Sequence, residues 1–313
     1  MSSIRVEPSA VNSRVAIIVV TFNSEISKLR SSLEAFNDRS WISVFVSDNS
    51  TDMEVRSSLM SLAQDLSFSY EYNNGNVGIG EAQNRAILRA REQGHEYALF
   101  LDDDSAISVE AISTLMNSFV SISASGRLVA AVGPVITDAR SQESLIFRWQ
   151  GSRLRQYSLP VGDFPIEVAF MLSSGSLTSF ERLNEIGLMR ADYFIDHVDL
   201  EWGLRAAARG YESFVIPAAF MTHSLGDTVA SAGRGNTFVY SHASHKRGFY
   251  QSRNLLLLLG DVELAALKKV ALLLRLMRSL ARDLSNFHSW RKLPYQVLGI
   301  WHGIRGLRGP LDP

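Results

Sequence analysis

The chain of 313 residues contains no cysteine, which removes disulfide staples and thiolate metal sites together. That fits a reducing cytosol. Long hydrophobic runs are missing too: stretches such as Val15 to Val20 and Leu255 to Leu259 fall far short of the roughly 20 residues a membrane-spanning helix needs. Nor is there an excess of one charge, since 31 Lys and Arg stand against 32 Asp and Glu, which gives no reason to expect a nucleic-acid partner. Met1 to Ser13 is polar and lacks the apolar centre of a signal peptide, so a cytoplasmic location is expected. What is present is enough apolar residue, 46%, to bury a large core.

Val15-Ala16-Ile17-Ile18-Val19-Val20 is a continuous, mostly β-branched run, as in a strand buried on both faces, and it ends in Thr21-Phe22-Asn23. Helix-like sequence follows, then a second strand, Ile42 to Val46, running into Ser47-Asp48-Asn49-Ser50. A strand, helix, strand unit with polar residues at both carboxyl ends implies a parallel sheet of an α/β protein, and ligands of such sheets bind at those ends. A third strand near Phe68 to Tyr72 leads into the turn-rich Asn73 to Gly80, whose glycines let backbone approach a phosphate or sugar. A fourth, Tyr97 to Leu101, delivers Asp102-Asp103-Asp104-Ser105. Crowded carboxylates at a strand exit repel one another, and a divalent cation relieves that; a plain turn with Asp104 or Ser105 capping the next helix is the alternative.

Further on, Ala130 to Ile136, Val168 to Leu172 and Tyr211 to Ile216 read as strands, Glu181 to Ile186 as a helix, and the acidic Phe194-Ile195-Asp196-His197-Val198-Asp199-Leu200-Glu201-Trp202 string enters another helix ending near Gly210. The charge of the chain is uneven. From Lys246 onward there are 12 basic and four acidic side chains, about +8, which leaves about −9 for the rest. In that region Ala266, Val270, Leu273, Met277, Leu280 and Leu284 share one helical face while Lys268, Arg275, Arg278 and Arg282 take the other. Two readings stay open: a helix packed on the main domain, or one lying on an anionic membrane leaflet.

Taken in order, Thr21-Phe22-Asn23, Asp48-Asn49-Ser50, Asn76-x-Gly78, Asp102-x-Asp104, Asp199-x-Glu201 with Arg205, and His223 resemble the inverting glycosyltransferases of family 2, of GT-A fold. The Phe194 to Asp199 string and the Lys246 to Asn254 segment look most like the bacterial rhamnosyltransferase branch. The resemblance covers about residues 14 to 255. It implies a Rossmann-like, mostly parallel sheet flanked by helices over residues 14–245, divided into a nucleotide-binding half (14–104) and an acceptor half (105–245), with a basic helical extension over 246–313.

It implies site residues as well. Thr21, Phe22, Asn23, Asp48, Asn76, Gly78, Asp102, Asp103 and Arg253 would bind the nucleotide, with Asp48 meeting the N3–H of a pyrimidine and Arg253 reaching the diphosphate. Asp104 and His223 would hold Mn²⁺ or Mg²⁺. Ser174, Gly175, Glu201 and Trp202 would line the acceptor side. Asp199 would be the single general base, with Asp196 in reserve, because Val198 stands where the family often has an acidic residue. The activity implied is transfer of L-rhamnose from dTDP-β-L-rhamnose to a saccharide or lipid-linked acceptor, with peripheral contact at the inner face of the cytoplasmic membrane and self-association as further expectations. Alternatives are a UDP-sugar donor, a metal-dependent nucleotidyltransferase, and a non-catalytic binding module.

Overall fold

The computed structural model describes residues 13–37, 39–138, 145–157, 164–223, 228–231, 238–241 and 244–311. The first half alternates strand and helix: β1 (Val15–Thr21), α1 (Ile26–Leu33), β2 (Ile42–Asp48), α2 (Met53–Leu66), β3 (Ser69–Tyr72), α3 (Ile79–Glu92) and β4 (Tyr97–Asp102). There follow β5 (Ala106–Ile107), α4 (Val109–Ala124), β6 (Val129–Asp138), the hairpin β7 (Ile146–Gln150) and β8 (Arg153–Tyr157), β9 (Ile166–Val168), β10 (Leu177–Ser179), α5 (Phe180–Ile186) and α6 (Val198–Ala208). The remainder is β11 (Glu212–His223), the ribbon β12 (Thr228–Ser231) and β13 (Phe238–Ser241), then α7 (Arg247–Asp261), α8 (Ala266–Ser285) and α9 (Leu293–Ile304).

The central sheet runs β3-β2-β1-β4-β10-β6-β11-β5, with β9 on β11. Strands β3, β2, β1 and β4 are parallel, β10 is antiparallel between β4 and β6, and β6 is parallel to β11. Period-two geometry splits each central strand between two cores. Val15, Ile17, Val19, Leu99 and Leu101 face the core shared with α1, α2 and α4, whereas Ala16, Ile18, Ala98 and Phe100 face the one shared with α3, α5 and α6. Both faces are dry, which is why β1 reads as an unbroken apolar run.

Three details depart from the sequence reading. The helix after the aspartates is capped by Ser108, whose hydroxyl accepts from the Ala111 amide at 3.1 Å, and not by Asp104 or Ser105. The strand expected over Val168 to Leu172 ends at Val168, because the next residues leave β11 and meet β7 instead, the Ala169 amide donating to the Phe147 carbonyl at 2.8 Å. Strand β11 continues past Pro217 to His223, the register shifting between Ile216 and Phe220, where a bulge accommodates the proline.

Helix α8 is amphipathic as its spacing predicts, but its apolar side is turned away from the protein. Leu267, Val270, Met277 and Leu284 are all more than half exposed, while Leu272 and Asp283 face the body.

Candidate active site

Strands β1, β2 and β4 end level with one another, Thr21 paired with Asp48 and Val20 with Asp102, so their polar exits form one edge. Asp48 is fully buried there and accepts hydrogen bonds from the Thr21 hydroxyl (2.9 Å), the Ser50 amide (2.9 Å) and the Tyr70 hydroxyl (2.8 Å). Burial and the facing carboxylate together hold the Tyr70 phenol well above its ordinary pKa, so it stays a donor. Tyr70 was not anticipated, although the register sets it opposite Val46 and therefore on the same face as Asp48. Asn23, at φ 50°, accepts the Thr51 and Asp52 amides at 3.0 Å each and so ties the β1 exit to the start of α2. Phe22 beside it is half exposed.

The glycine-bearing turn is built by side chains of its own. Asn76 accepts the Gly78 amide at 2.9 Å, and Asn49 accepts the Val77 amide and donates to the Gly78 carbonyl, both at 3.3 Å. Gly78 has φ +85°, and a Cβ there would lie 2.6 Å from the Phe194 carbonyl oxygen, so conformation and space both demand glycine. The Ile79 amide donates to that same oxygen at 2.7 Å. The glycine turn is therefore clamped to the segment that carries the acidic string.

At the β4 exit the Asp102 amide donates to the Ser174 hydroxyl at 3.0 Å, the Gly175 amide to the Phe100 carbonyl at 2.8 Å, and the Ser24 hydroxyl to Asp103. Ser174 and Gly175 are buried and brace this exit. The next residue back, Ser173, lines a small cavity with Met171, Met189, Trp202 and Asp199. One loop thus meets Asp102 through Ser174, while its Ser173 shares a cavity wall with Asp199.

Asp199 opens α6 after a tight turn in which Phe194, Asp196 and His197 all have φ between 63° and 65°. Such backbone costs of order 1–3 kcal/mol per residue and persists only when neighbours enforce it. Here Asn254 donates to the Tyr193, Ile195 and Asp196 carbonyls at 2.8–2.9 Å, and Phe194 stacks on Tyr250 with ring centroids 5.1 Å apart. Burial pushes the Asp199 carboxyl up to about 6, with Asp196 and Asp102 adding to the rise and the Leu200 amide, donating at 2.7 Å, opposing it. Burial likewise lowers His197 to about 4, so the ring is neutral.

Several expected site residues are committed elsewhere. Asp196 is held in a two-pronged ion pair by Arg247, Nε to Oδ2 at 3.1 Å and Nη2 to Oδ1 at 2.7 Å, so the reserve base is already neutralised. Glu201 is fully buried and paired with Arg205 at 2.8 Å and 3.0 Å, which anchors α6; Trp202 is buried with its indole N–H on the Gly187 carbonyl at 2.8 Å while it lines the small cavity beside Asp199. Arg253 is 1% exposed and spends its guanidinium on Asn254 and on the carbonyls of Tyr193 and Gly309, beneath two aromatic rings. It supports the strained turn and is not placed to meet a diphosphate. The backbone of His223 ends β11, and its side chain lies outside the described residues, as does any ligand role for it.

Among the described residues no group of three or more His, Asp or Glu is arranged to enclose a metal ion. Asp102 and Asp104 do present two hard oxygen donors on one strand exit. That set fits a cation that takes one or two carboxylates from protein and completes its shell with substrate phosphates, the habit of Mg²⁺ and Mn²⁺.

The sequence profile of glycosyl transferase family 2 matches residues 16–175, and the chain belongs to this family. It is 27% identical over 302 residues to the dTDP-rhamnosyl transferase RfbF of Shigella flexneri, covering 96% of this chain and 98% of that one. In fold it is similar to the mannosyltransferase PcManGT of Pyrobaculum calidifontis, solved with GDP-Man and Mn²⁺ (TM-score 0.55, 17% identity, 98% of this chain and 79% of that one). It is similar as well to residues 1–349 of TarS from S. aureus, solved with UDP-GlcNAc (TM-score 0.54, 18% identity, 94% and 81%). The fold is GT-A, and the protein is a glycosyltransferase.

Proposed function

We propose that the protein transfers L-rhamnose from dTDP-β-L-rhamnose to a saccharide or glycolipid hydroxyl with inversion, giving an α-L-rhamnoside. What supports this reading is the nearness of Asp199 to the β4 exit: Asp102 adds to the rise in its pKa, and Asp199 shares a small cavity with Ser173, next to the Ser174 hydroxyl that the Asp102 amide meets. Inversion needs one base on the face opposite the leaving diphosphate. Asp199, whose carboxyl is raised to about 6, is ionised at neutral pH yet basic enough to accept the acceptor proton as the hydroxyl attacks C1. Phe22 offers a face for the pyrimidine, Asn76 and the Gly78 turn approach the sugar and phosphates, and the base reaches Asp48 by replacing the Tyr70 hydroxyl at Oδ2. Asp102 and Asp104 would hold Mg²⁺ or Mn²⁺, which when bound neutralises charge on the leaving diphosphate.

The outward apolar face of α8, flanked by Arg278 and Arg282, supports contact with an anionic membrane surface, residues 246–313 acting as the docking region. A UDP-sugar donor is the second reading, because Thr21 and Asp48 do not separate uracil from thymine and TarS was solved with UDP-GlcNAc. A donor panel tests both: purified protein with Mg²⁺ or Mn²⁺ should release dTDP from dTDP-L-rhamnose at least tenfold faster than UDP from UDP-hexoses. The reverse preference would overturn the donor assignment.

A further inference from the structure

Helix α8 and the β7–β8 hairpin enclose a cavity of about 380 Å³ whose wall includes Arg153, Arg155, Arg275, Arg278, Phe147 and Leu274. Four arginines line one space, and the ion pairs found among the described residues include none of the four. Arginines gathered at a concavity suit a phosphate, since each guanidinium forks onto two oxygens and keeps its charge when partly desolvated.

The cavity adjoins the catalytic helix. Phe147 stacks on Phe170 with centroids 5.0 Å apart, and Phe170 packs so tightly on Gly203 of α6 that a Cβ there would come within 2.6 Å. Gly203 lies one turn beyond Asp199, and Arg275 is near enough to His197 to bear on its basicity. The cavity also adjoins the apolar face of α8: Leu274 lines the one and, 44% exposed, belongs to the other. A ligand filling both surfaces has an anionic head and a hydrocarbon tail.

We propose that this cavity holds the phosphate or diphosphate head of a lipid-linked saccharide acceptor, with the apolar face of α8 lying along the bilayer that carries the lipid. The inference rests on α6 being the helix that meets the acceptor. A second copy of the chain is a poorer occupant, because the region from Lys246 onward carries about +8 and would face its like across a two-fold interface.

The test is equilibrium binding by the full chain, without divalent cations and with dTDP present, to inorganic pyrophosphate and to phosphatidylcholine vesicles doped with farnesyl diphosphate or with phosphatidylglycerol. Wild type should bind pyrophosphate and should bind farnesyl diphosphate vesicles at least tenfold better than phosphatidylglycerol vesicles. The double variant R153A/R275A should lose at least tenfold on both diphosphate probes, and L274E/M277E should lose the vesicle advantage while keeping pyrophosphate. Pyrophosphate binding untouched by R153A/R275A, or equal binding to both kinds of vesicle, would overturn the proposal. A separate dTDP titration shows that the variants are folded, and its failure in wild type would refute the donor reading while leaving the pyrophosphate comparison readable.

Discussion

At the scale of the residue, Asp199 is a carboxyl kept in a place that does not suit its charge. An unfolded Asp ionises near 3.9, whereas burial holds Asp199 near 6, so between those values the folded chain retains a proton that the unfolded chain gives up. Its contribution to stability therefore falls as pH rises from about 4 to 6 and stays low above that. Asp199→Asn should raise the unfolding free energy at pH 7 by roughly 1–3 kcal/mol, as read by urea titration, while cutting transfer by about 10²–10⁴-fold. In the wild type, kcat/KM should climb through a single ionisation near 6 and level off above it, the sign expected of a base that works deprotonated. A flat profile from pH 5 to 8 would count against Asp199. The strand-end residues Thr21, Asp48 and Asp102 were readable from the sequence because each follows an apolar run. The ion pair that occupies Asp196 was not, because Arg247 lies 51 positions away and only the fold brings them together.

At the scale of the element, the Gly78 turn and the Phe194 to His197 turn form one unit, joined through the Phe194 carbonyl. Gly78→Ala meets both a left-handed φ and a backbone atom, and should cost roughly 2–4 kcal/mol and weaken dTDP binding together with transfer. Differential scanning calorimetry and a dTDP titration check the two halves of that statement. Strands β1, β2 and β4 were legible because their residues are buried on both faces. The β7–β8 hairpin was not anticipated, although Phe147 and Trp149 alternate with Arg148 and Gln150 ahead of Gly151-Ser152. For α8 the spacing named the apolar side correctly but could not say which side the protein would cover; a periodicity carries no information about the neighbour.

At the scale of the whole molecule, the C-terminal residues return to brace the strained Phe194 to His197 turn. Arg308 pairs with Asp261 at 2.6 Å and Asp192 at 2.9 Å, the Gly309 amide donates to the Asp192 carbonyl at 2.9 Å, and Arg253 bridges Gly309 to Tyr193. Arg308 is a third exposed, so each of its pairs is worth about 1 kcal/mol or less, and the strap matters through its number of contacts. Removing residues 306–313 should lower Tm by a few degrees and reduce transfer more than dTDP binding, because the strap meets the Phe194 side and not the strand exits. Equal losses in both, measured by activity and by dTDP titration, would mean that it supports the fold generally.

The central claim is that one carboxylate on α6 takes the acceptor proton while the strand edge opposite holds the donor. Transfer and dTDP affinity measured side by side in Asp199→Asn test it most directly: transfer should fall by about 10²–10⁴-fold while dTDP affinity stays within about twofold of wild type. A variant that still transfers sugar at the wild-type rate would contradict it.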